Sequence, residues 1–486
     1  MITIKELLNG IEAIEVIGPL DINISGITHD SRSVSDGYCF IAISGFRDDG
    51  NKYVDDAVKK GAKLIISESA QSVELPGVTW VRLKNIRKAF STISLNFYGD
   101  PLRDKYVVGV TGTNGKTTVV ALIEAIFNRT GKTVKFGTLG AWCGSNGKKA
   151  SLTTPEALEV YKFLSDECKG NFDNVVMEVS SVALELERVA GIEFSQAIFT
   201  NLSGDHLDFH NNMDNYFESK LSLFKSLSPD KWAIINIDDE KGSAIIDMID
   251  SKYITYGFSE EADVRPLSFK LSAKGIEAVI STPGGQLNIK CSLVGRINLL
   301  NILAAVASSC VKNISFEVIA SALEEFTTVR GRLDTVYEND FTVMIDYAHT
   351  DNALENLLES VKELKFRKMI LVFGAGGSRD TTKRPRMGAV AAKYADVVIV
   401  TSDNPRDEDP SNIIEQIVAG FPTGFTSFQV EQDREDGIAA GINSAEKGDI
   451  VIIAGKGHED YQILGKKVIH FDDYEVVARL TGRKGG

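Results

Sequence analysis

The chain has 486 residues, 43% of them hydrophobic and 25% charged, which is ample apolar material for several cores and no compositional case for disorder. The net charge of −14 argues against a nucleic-acid partner, and five scattered cysteines without CxxC spacing predict reduced thiols rather than disulfides or a zinc site. No signal peptide is recognisable and no apolar run approaches the roughly 20 residues that span a bilayer, so we expect a soluble, cytoplasmic protein without membrane insertion.

Short apolar runs alternate with amphipathic segments along most of the chain, a pattern that predicts an α/β fold. Two breaks, near 98-YGDPLRDK-105 and 326-FTTVRGRLDTV-336, predict three domains at residues 1–99, 100–329 and 330–486. In the last domain we predict strands at 341–346, 369–374, 396–403 and 449–455, with helical segments between them. This order is typical of a doubly wound, Rossmann-like sheet that binds ligands at the carboxyl ends of its strands.

The stretch 111-TGTNGKTT-118 lies between a predicted strand, 106–110, and an amphipathic helix. The general phosphate-loop pattern G-x-x-x-x-G-K-[ST] would place a glycine at position 110, which is Val110 here. The strand, glycines, lysine and threonine nevertheless predict a cradle of backbone N–H groups for phosphate oxygens. Lys116 would reach the β- and γ-phosphates, and the hydroxyl of Thr117 would bind Mg²⁺. The alternative is a chance Gly-Lys-Thr sequence in a helix-capping turn.

Further polar side chains follow two other apolar runs. Glu178 comes near the end of 174-NVVMEVSS-181, and 196-QAIFTNLSGDHLDFH-210 ends in Asp205, His206, Asp208 and His210. Together with the phosphate loop they predict a site for a Mg²⁺-bound nucleotide, although each carboxylate or histidine alone fits ordinary loop polarity equally well.

Lys220 lies on the apolar stripe of a predicted helix, 213–227, between Tyr216 and Phe224 at spacings of four residues. Periodicity alone favours a lysine at the edge of this face whose amine reaches water. The alternative is a buried lysine with a function.

With these segments in place, the chain resembles the Mur ligase family, MurE type. The resemblance rests on ordered motifs over essentially the whole length: HDSRSV, SGFRDDG, TGTNGKTT, TTPEAL, MEVSS, TNLSGDHLDFH, YFESKLSLF, GRINLLNILAA, GRLD, DYAHT, FGAGGSRDTTKRPRMG, DNPR and GKGHEDYQ. It implies three α/β domains: an N-terminal uridine-binding domain, a central P-loop-like parallel-sheet ATPase domain and a C-terminal Rossmann-like domain that binds the amino acid. It also implies an ATP- and Mg²⁺-dependent ligase that adds a diamino acid to UDP-MurNAc-L-Ala-D-Glu through an acyl phosphate during peptidoglycan synthesis. We expect a monomer.

The resemblance also implies roles for individual residues. Catalysis falls to Lys116, His206, Lys220 and Arg332, and Lys220 is carbamylated. Mg²⁺ is bound by Thr117, Glu178, His206 and Lys220. ATP contacts come from Gly112, Thr113, Asn114, Gly115, Lys116, Thr117, Thr118, Asn301, Arg332 and Asp346, with His349 nearby. The muropeptide contacts Thr153, Thr154, Ser180 and Arg188, and its uridine end contacts Ser31 and the loop 45-GFRDDG-50. The incoming amino acid contacts Arg379, Asp403, Asn404, Pro405, Arg406, Gly455 and Glu459.

In MurE-type enzymes the tetrapeptide 403-DNPR-406 accompanies meso-diaminopimelate rather than L-lysine. A guanidinium can bind the second carboxylate of diaminopimelate with two hydrogen bonds, whereas lysine would leave Arg406 desolvated and unpaired. An isostere such as meso-lanthionine fits equally well, and the tetrapeptide alone could be an ordinary Asn-Pro turn.

The chain departs from the family pattern at Val182, Leu186, Ser378 and 350-TDN-352, which bears on the muropeptide contacts. Two other functions compete with this interpretation: a different amide ligase of the same superfamily, such as a folylpolyglutamate synthase, and a nucleotide-gated binding protein without catalysis. Phosphate release would separate the last from an enzyme.

Overall fold

The computed structural model describes residues 1–45, 49–71, 75–150, 152–205 and 207–482. Its first α/β unit is built around a five-stranded sheet in the order β2-β7-β6-β5-β4, parallel except for β2, with apolar clusters on both faces. The elements are β1 (Ile2–Thr3), α1 (Ile4–Leu7), β2 (Ala13–Ile17), β3 (Asn23–Ile24), β4 (Gly26–Thr28), β5 (Tyr38–Ala42), α2 (Val54–Lys59), β6 (Leu64–Ser67), β7 (Thr79–Leu83) and α3 (Ile86–Tyr98).

The central unit contains an eight-stranded sheet in the order β11-β10-β9-β12-β8-β13-β14-β15 and a separate three-stranded sheet, β16-β17-β18. The elements are β8 (Tyr106–Thr111), α4 (Lys116–Phe127), β9 (Thr133–Gly137), β10 (Gly140–Cys143), β11 (Asn146–Lys148), α5 (Ala157–Lys162), β12 (Asn174–Glu178), α6 (Ser181–Glu185), β13 (Gln196–Phe199), α7 (Leu207–His210), α8 (Met213–Lys225), β14 (Trp232–Asn236), α9 (Glu240–Ile246), β15 (Lys252–Tyr256), β16 (Arg265–Ser272), β17 (Gly275–Thr282), β18 (Gly285–Cys291), α10 (Arg296–Val311) and α11 (Phe316–Glu325).

The large central sheet is parallel from β9 to β15, as predicted, and only the edge strands β10 and β11 run antiparallel. Strand β8 lies between β12 and β13, so the loop after β8 begins near the middle of the sheet. Helix α10 is apolar on nearly every side because it packs between α4, the large sheet and the three-stranded antiparallel sheet. The small antiparallel sheet was not predicted from the sequence.

The third unit is a six-stranded sheet in the order β19-β20-β24-β21-β22-β23, with apolar clusters on both faces. Its elements are β19 (Asp334–Glu338), β20 (Thr342–Asp346), α12 (Asp351–Lys362), β21 (Met369–Phe373), α13 (Lys383–Tyr394), β22 (Val397–Val400), α14 (Pro410–Val418), β23 (Phe428–Val430), α15 (Arg434–Asn443) and β24 (Ile450–Ala454). A hairpin, β25 (Tyr461–Leu464) and β26 (Lys467–His470), and helix α16 (Asp473–Leu480) complete the unit.

Strands β20 to β24 pair in parallel, and β21 and β24 are buried along their whole length. Their continuous apolar runs are typical of parallel strands that are covered on both faces, so the predicted doubly wound sheet is confirmed. The domain limits 1–99, 100–329 and 330–486 stay predictions. None of the helices in the described ranges is both long enough and apolar enough to cross a bilayer.

Candidate active site

The loop after β8 makes a tight turn into α4. Val110 is still part of β8 and is fully buried, which explains why the glycine of the general phosphate loop is missing: the turn starts two residues later, at Gly112. Gly112 and Gly115 both have positive φ, of 144° and 86°. A Cβ at Gly112 would lie 1.8 Å from Oγ1 of Thr200, and one at Gly115 would lie 2.5 Å from Oδ1 of Asn301. Both positions therefore require glycine.

Lys116 is the first residue of α4, and its ammonium donates to the carbonyl oxygens of Gly112 and Thr113, each at 2.8 Å. Burial lowers the pKa of Lys116, while the carboxylates of Glu178 and Asp205 act in the opposite direction. The amine thus lies beside the glycine turn at the N-terminus of α4, the end of a helix at which phosphate groups bind.

Glu178 ends β12 with a side chain that is 1% exposed. Its Oε2 accepts from the hydroxyls of Thr117 at 3.1 Å and Thr138 at 3.2 Å, and its Oε1 accepts from the backbone N–H of Thr138 at 2.8 Å. Arg332 donates to Oγ1 of Thr117 at 3.2 Å, so a residue that follows the central unit reaches the same point. A carboxylate and a hydroxyl beside a phosphate cradle are suitable Mg²⁺ ligands.

Lys220 is buried within α8, being 1% exposed, and Tyr216 and Phe224 on the same stripe are equally covered. The interpretation of Lys220 as an edge lysine that reaches water is therefore wrong. Its Nζ lies 4.3 Å from the ring centroid of Tyr216. Burial, and then the positive charge of Lys116, hold the pKa of Lys220 well below its usual value, so the neutral amine is favoured.

Only part of the predicted cluster of acids and histidines after β13 falls within the described residues. His206 and the side chain of Asp208 lie outside the described residues. Asp205 lines the cleft, whereas His210 is buried and lies 2.9 Å from Oγ of Ser181 through its Nε2. Among the described residues, no three His, Cys, Asp or Glu side chains converge as a metal site.

The phosphate loop lines a cleft of about 1180 Å³ between the central and third units. Asn301 from α10 and Arg332 and Asp346 from the third unit also line it, and their roles as nucleotide contacts stay predictions. Asp346 accepts from the backbone N–H groups of Leu333 and Ala348, each at 2.7 Å, and burial raises its pKa. Nε of Arg332 is buried and has no hydrogen-bond partner among the described residues. Two cations beside the glycine turn, Lys116 and Arg332, the second with an unpaired nitrogen, fit a nucleoside triphosphate.

Of the four residues predicted to bind the muropeptide, Thr153 and Ser180 line this cleft, whereas Thr154 and Arg188 do not. Thr154 is completely buried behind them, donating to the carbonyl of Glu178 at 2.9 Å and accepting from the N–H of Ser180 at 3.0 Å. Arg188 donates to Glu156 at 2.8 Å and to the carbonyl of Thr154 at 3.3 Å.

The predicted contacts at the uridine end are on the first unit, remote from these residues in the chain. Ser31 starts a short 3-10 turn, and its carbonyl accepts from Lys60 at 2.8 Å. It does not line either cleft described here. Of the loop 45–50, residues 46–48 lie outside the described residues.

Two of the departures from the family pattern, Val182 and Leu186, lie at helix α6. Val182 is within the helix and Leu186 caps its end, where the carbonyl of Leu186 accepts from Arg87 of the first unit at 3.5 Å.

A second cleft, of about 1420 Å³, adjoins the first and shares Asp205, Tyr347, His349 and Thr350 with it. Six of the seven residues predicted for the amino acid line it: Arg379, Asp403, Asn404, Arg406, Gly455 and Glu459. Pro405 lies in the same loop, and its carbonyl oxygen would be 1.9 Å from a Cβ at Gly377. They come together because β20, β21, β22 and β24 all end at this edge of the sheet.

The polar groups of this second cleft are held in fixed positions. Asn404 donates to Oε2 of Glu459 at 2.9 Å and accepts from the backbone N–H of Ile463 at 2.9 Å. Nη1 of Arg406 donates to the carbonyl of Gly377 at 2.8 Å, and the residue lines the cleft with further guanidinium donors to offer a ligand.

Two residues that sequence reasoning left without a role line these clefts. Lys383 lines the second cleft and donates to the carbonyl of His349 at 2.8 Å, and burial lowers its pKa. Its only signal in the sequence is the basic run within TTKRPRMG. Tyr347 stacks with the guanidinium of Arg332, whose Cζ is 4.7 Å from the ring centroid. His349 places Nδ1 2.9 Å from the carbonyl of Tyr347, and burial followed by the charge of Lys383 lowers its pKa.

Comparison with known proteins covers most of the chain. Family models match at residues 23–98 (Mur ligase family, catalytic domain), 110–309 (Mur ligase middle domain) and 331–457 (Mur ligase, glutamate ligase domain). UDP-N-acetylmuramoyl-L-alanyl-D-glutamate–2,6-diaminopimelate ligase 1 of Clostridium acetobutylicum is 39% identical over 481 residues, 98% of each chain. The ligase of the same name from Syntrophomonas wolfei is 43% identical over 473 residues, 96% of each chain. A solved structure of a protein with that name is 30% identical, has a TM-score of 0.70 and covers 99% of each chain.

Proposed function

This chain belongs to the Mur ligase family, and from that premise we propose that it joins 2,6-diaminopimelate by an amide bond to UDP-N-acetylmuramoyl-L-alanyl-D-glutamate, with ATP as the energy source. The resemblance to the MurE type drawn from the sequence motifs is confirmed. One observation carries the proposal: the cleft at the phosphate loop opens directly into a second cleft lined by Arg379 and Arg406. The three substrates can therefore meet where the clefts share Asp205, Tyr347 and His349.

Amide formation requires an activated carboxylate. The γ-phosphoryl group of ATP passes to the D-Glu carboxylate, giving an acyl phosphate and ADP; the amine of the amino acid attacks the carbonyl carbon, and the tetrahedral intermediate loses phosphate and a proton. Lys116 and Arg332 flank the position of the transferring group and neutralise its charge. Thr153 and Ser180, which line the same cleft, orient the muropeptide carboxylate toward them.

His349 is placed to accept the proton that the amine loses. Its Nδ1 faces a backbone carbonyl, so that nitrogen carries the hydrogen and Nε2 remains an acceptor. Its lowered pKa keeps the ring neutral, as a base requires. It also lines both clefts, between the nucleotide and the amino acid.

Mg²⁺, when bound, would neutralise phosphate charge, and its ligands in this proposal are Thr117, Glu178, His206 and Lys220. The oxygens of Thr117 and Glu178 are 3.1 Å apart at the mouth of the phosphate loop, which suits a shared cation. Lys220 can serve only as an anion, and we infer that its amine is carbamylated. The neutral amine attacks CO₂, forms a carbamate and releases a proton, and the positive charge of Lys116 that disfavours the ammonium favours this anion.

The amino-acid assignment depends on the guanidinium groups of the second cleft. Diaminopimelate carries a carboxylate and an ammonium at each end, so that one end reacts while the other needs partners. Arg406, with Arg379 nearby, supplies planar donors for the distal carboxylate, and Asp403 and Glu459 supply anions for the distal ammonium. L-Lysine has no distal carboxylate and would leave a cation unpaired. Meso-lanthionine has the same two ends and should also be accepted.

Phosphate release with UDP-MurNAc-L-Ala-D-Glu, ATP and a panel of diamino acids tests this proposal. We expect release to require the muropeptide and to be fastest with meso-diaminopimelate. A folylpolyglutamate synthase would show no need for the muropeptide, and a nucleotide-gated binding protein would release no phosphate. We also propose that the enzyme works as a monomer in the cytoplasm, where its five free cysteines, four of them buried, would remain reduced.

A further inference from the structure

Arg406 lies in a turn whose conformation is fixed by contacts with other segments of the chain. The backbone N–H of Glu408 donates to the carbonyl of Pro405 at 3.1 Å and closes a four-residue turn around Arg406. Arg406 has φ of 52°, in the left-handed region that arginine disfavours. Its N–H donates to the carbonyl of Ile463 at 3.0 Å, so one side of the turn is held by the β25 strand.

Glu408, which is itself half-buried, holds the other side through an ion pair with a buried arginine. Its Oε2 accepts from Nη1 of Arg384 at 2.8 Å and its Oε1 accepts from Nη2 at 2.9 Å. The side chain of Arg384 is completely buried, and its hydrogen bonds keep the pKa of Glu408 below the usual value. Paired donors and acceptors of this kind define direction as well as distance. The carboxylate is thus ionised and fixed at neutral pH.

The guanidinium of Arg384 is itself fixed on the body of the third unit. Nη1 donates to Oε1 of Gln416 on α14 at 2.8 Å. Helices α13 and α14 approach so closely at this point that a Cβ at Gly388 would lie 2.0 Å from the carbonyl of Ile417. Arg384 therefore does not move independently of the helices that cover the sheet.

The ion pair of Arg384 and Glu408 also fixes the backbone of the neighbouring loop, against which the side chain of Arg406 lies. Nη2 of Arg384 donates to the carbonyl of Gly376 at 3.2 Å, and the N–H of Ser378 donates to Oε1 of Glu408 at 2.5 Å. Between them, the carbonyl of Gly377 accepts from Nη1 of Arg406. Both the backbone of Arg406 and the acceptor that orients its guanidinium are thus connected to one carboxylate.

We propose that Glu408, held by Arg384, is a positioning residue for substrate selection: it sets the guanidinium of Arg406 for the distal carboxylate of the diamino acid. The inference rests on the proposed function, since it assumes that Arg406 binds that carboxylate. Glu408 itself does not line either cleft. Its effect on the reaction must therefore pass through Arg406 and the 376–378 loop.

A double-mutant cycle with Glu408→Gln and Arg406→Ala tests the proposal in the full-length enzyme. We expect Glu408→Gln to raise KM for meso-diaminopimelate by about tenfold or more, as loss of a supporting hydrogen bond commonly does. The kcat and the KM values for ATP and muropeptide should change by less than about twofold, since those groups lie elsewhere. In an enzyme that already carries Arg406→Ala, the added Glu408→Gln should have almost no further effect, because the residue through which it acts is gone.

The matched control is Glu355→Gln. Glu355 on α12 accepts from Lys393 of α13 at 2.8 Å, so the change also removes a carboxylate that is paired with α13, but Glu355 lines neither cleft. Its kinetic constants should match those of the wild type. Thermal unfolding of all variants shows whether they fold. Should Glu408→Gln fail to fold, Glu408→Asp keeps a charge beside Arg384 but withdraws the carboxylate by one methylene, and the same selective rise in KM is expected.

Three results would overturn the inference. If the effects of the two substitutions on KM for diaminopimelate multiply in the double mutant, Glu408 acts independently of Arg406. An equal loss for all substrates, or a fall in kcat alone, would show a structural role only. A normal KM for diaminopimelate in both Glu408 variants would show no role at all. Failure of the proposed function looks different: the wild-type enzyme would then not prefer meso-diaminopimelate over L-lysine, and both claims would fall.

Discussion

Replacing Arg406 by alanine removes the guanidinium that we expect to bind the distal carboxylate of the amino acid. Losing one partner of a buried charge pair costs about 2–5 kcal/mol. In the wild type Arg406 is only partly buried, and its guanidinium also donates to the carbonyl of Gly377. The lower part of this range therefore applies. A loss of about 2–3 kcal/mol corresponds to roughly 30- to 150-fold in kcat/KM for meso-diaminopimelate.

The assay is phosphate release at saturating ATP and muropeptide, with meso-diaminopimelate, meso-lanthionine or L-lysine as the variable substrate. Lanthionine should follow diaminopimelate, because the end that contacts Arg406 is the same. Use of L-lysine should fall far less and could rise, since the unpaired cation has gone. KM for ATP and muropeptide should stay close to the wild-type values, because those substrates contact other residues.

Arg129→Ala is a suitable control for the loss of an arginine. Arg129 pairs with Glu325 in the central unit and lines neither of the two clefts. It should leave the selectivity unchanged. A ratio of kcat/KM for diaminopimelate over lysine that is also unchanged by Arg406→Ala would refute the reasoning, because the DNPR loop would then be only a turn.

Three further predictions concern charge. Lys116→Ala should abolish amide formation with the fold intact, measured by product formation and thermal unfolding, because a cation over the phosphate loop is lost. Lys220→Ala should be nearly inactive and partly restored by a small carboxylic acid. In the wild type, acidification should lower activity and added bicarbonate restore it, because only the neutral amine reacts with CO₂ and burial lowers the pKa of Lys220 in favour of that form. Asp473→Ala should lower the free energy of unfolding by about 3–5 kcal/mol in urea titrations, because it leaves the guanidinium of Arg434 buried without its partner.

Controls for these variants are available in the chain. Lys225→Ala removes an exposed lysine from the same helix as Lys220 and should retain full activity. Lys393→Ala breaks an exposed ion pair with Glu355 and should cost less than about 1 kcal/mol of stability. Intact activity in Lys116→Ala would rule out the nucleotide site, and mass spectrometry of fully active enzyme with an unmodified Lys220 would rule out the carbamate. A loss for Asp473→Ala no larger than that for Lys393→Ala would contradict the argument from burial.

Sequence reasoning succeeded where the relevant signal is local. The strand, turn and helix around 106–127 are adjacent in the chain. The residues from Arg379 to Glu459 were named from the family resemblance, and they meet in one cleft because the carboxyl ends of parallel strands converge. The position of Lys220 was ambiguous because periodicity shows which helical face a residue occupies but not how deeply that face is covered.

Contacts between distant segments could not be predicted in this way. The pairing of Arg384 with Glu408, and of Glu178 with Thr138, depends on how loops from different strands approach each other. The antiparallel sheet β16-β17-β18 was not predicted. Apolar and polar residues alternate in β16 (Arg265–Ser272), but four consecutive residues are exposed, so the alternation does not correspond to a buried and an exposed face of this strand. Its pairing partners, rather than its own sequence, determine its structure.

The transfer of oxygen during the reaction tests the central claim most directly. Muropeptide labelled with ¹⁸O in the D-Glu carboxylate is incubated with ATP and meso-diaminopimelate, and the phosphate and the product are examined by mass spectrometry. If the carboxylate is activated as an acyl phosphate, each amide bond formed should transfer one ¹⁸O atom to inorganic phosphate, and the product should have the mass of the diaminopimelate adduct. Unlabelled phosphate with the adduct formed would contradict the acyl phosphate, and phosphate without the adduct would contradict the ligase itself.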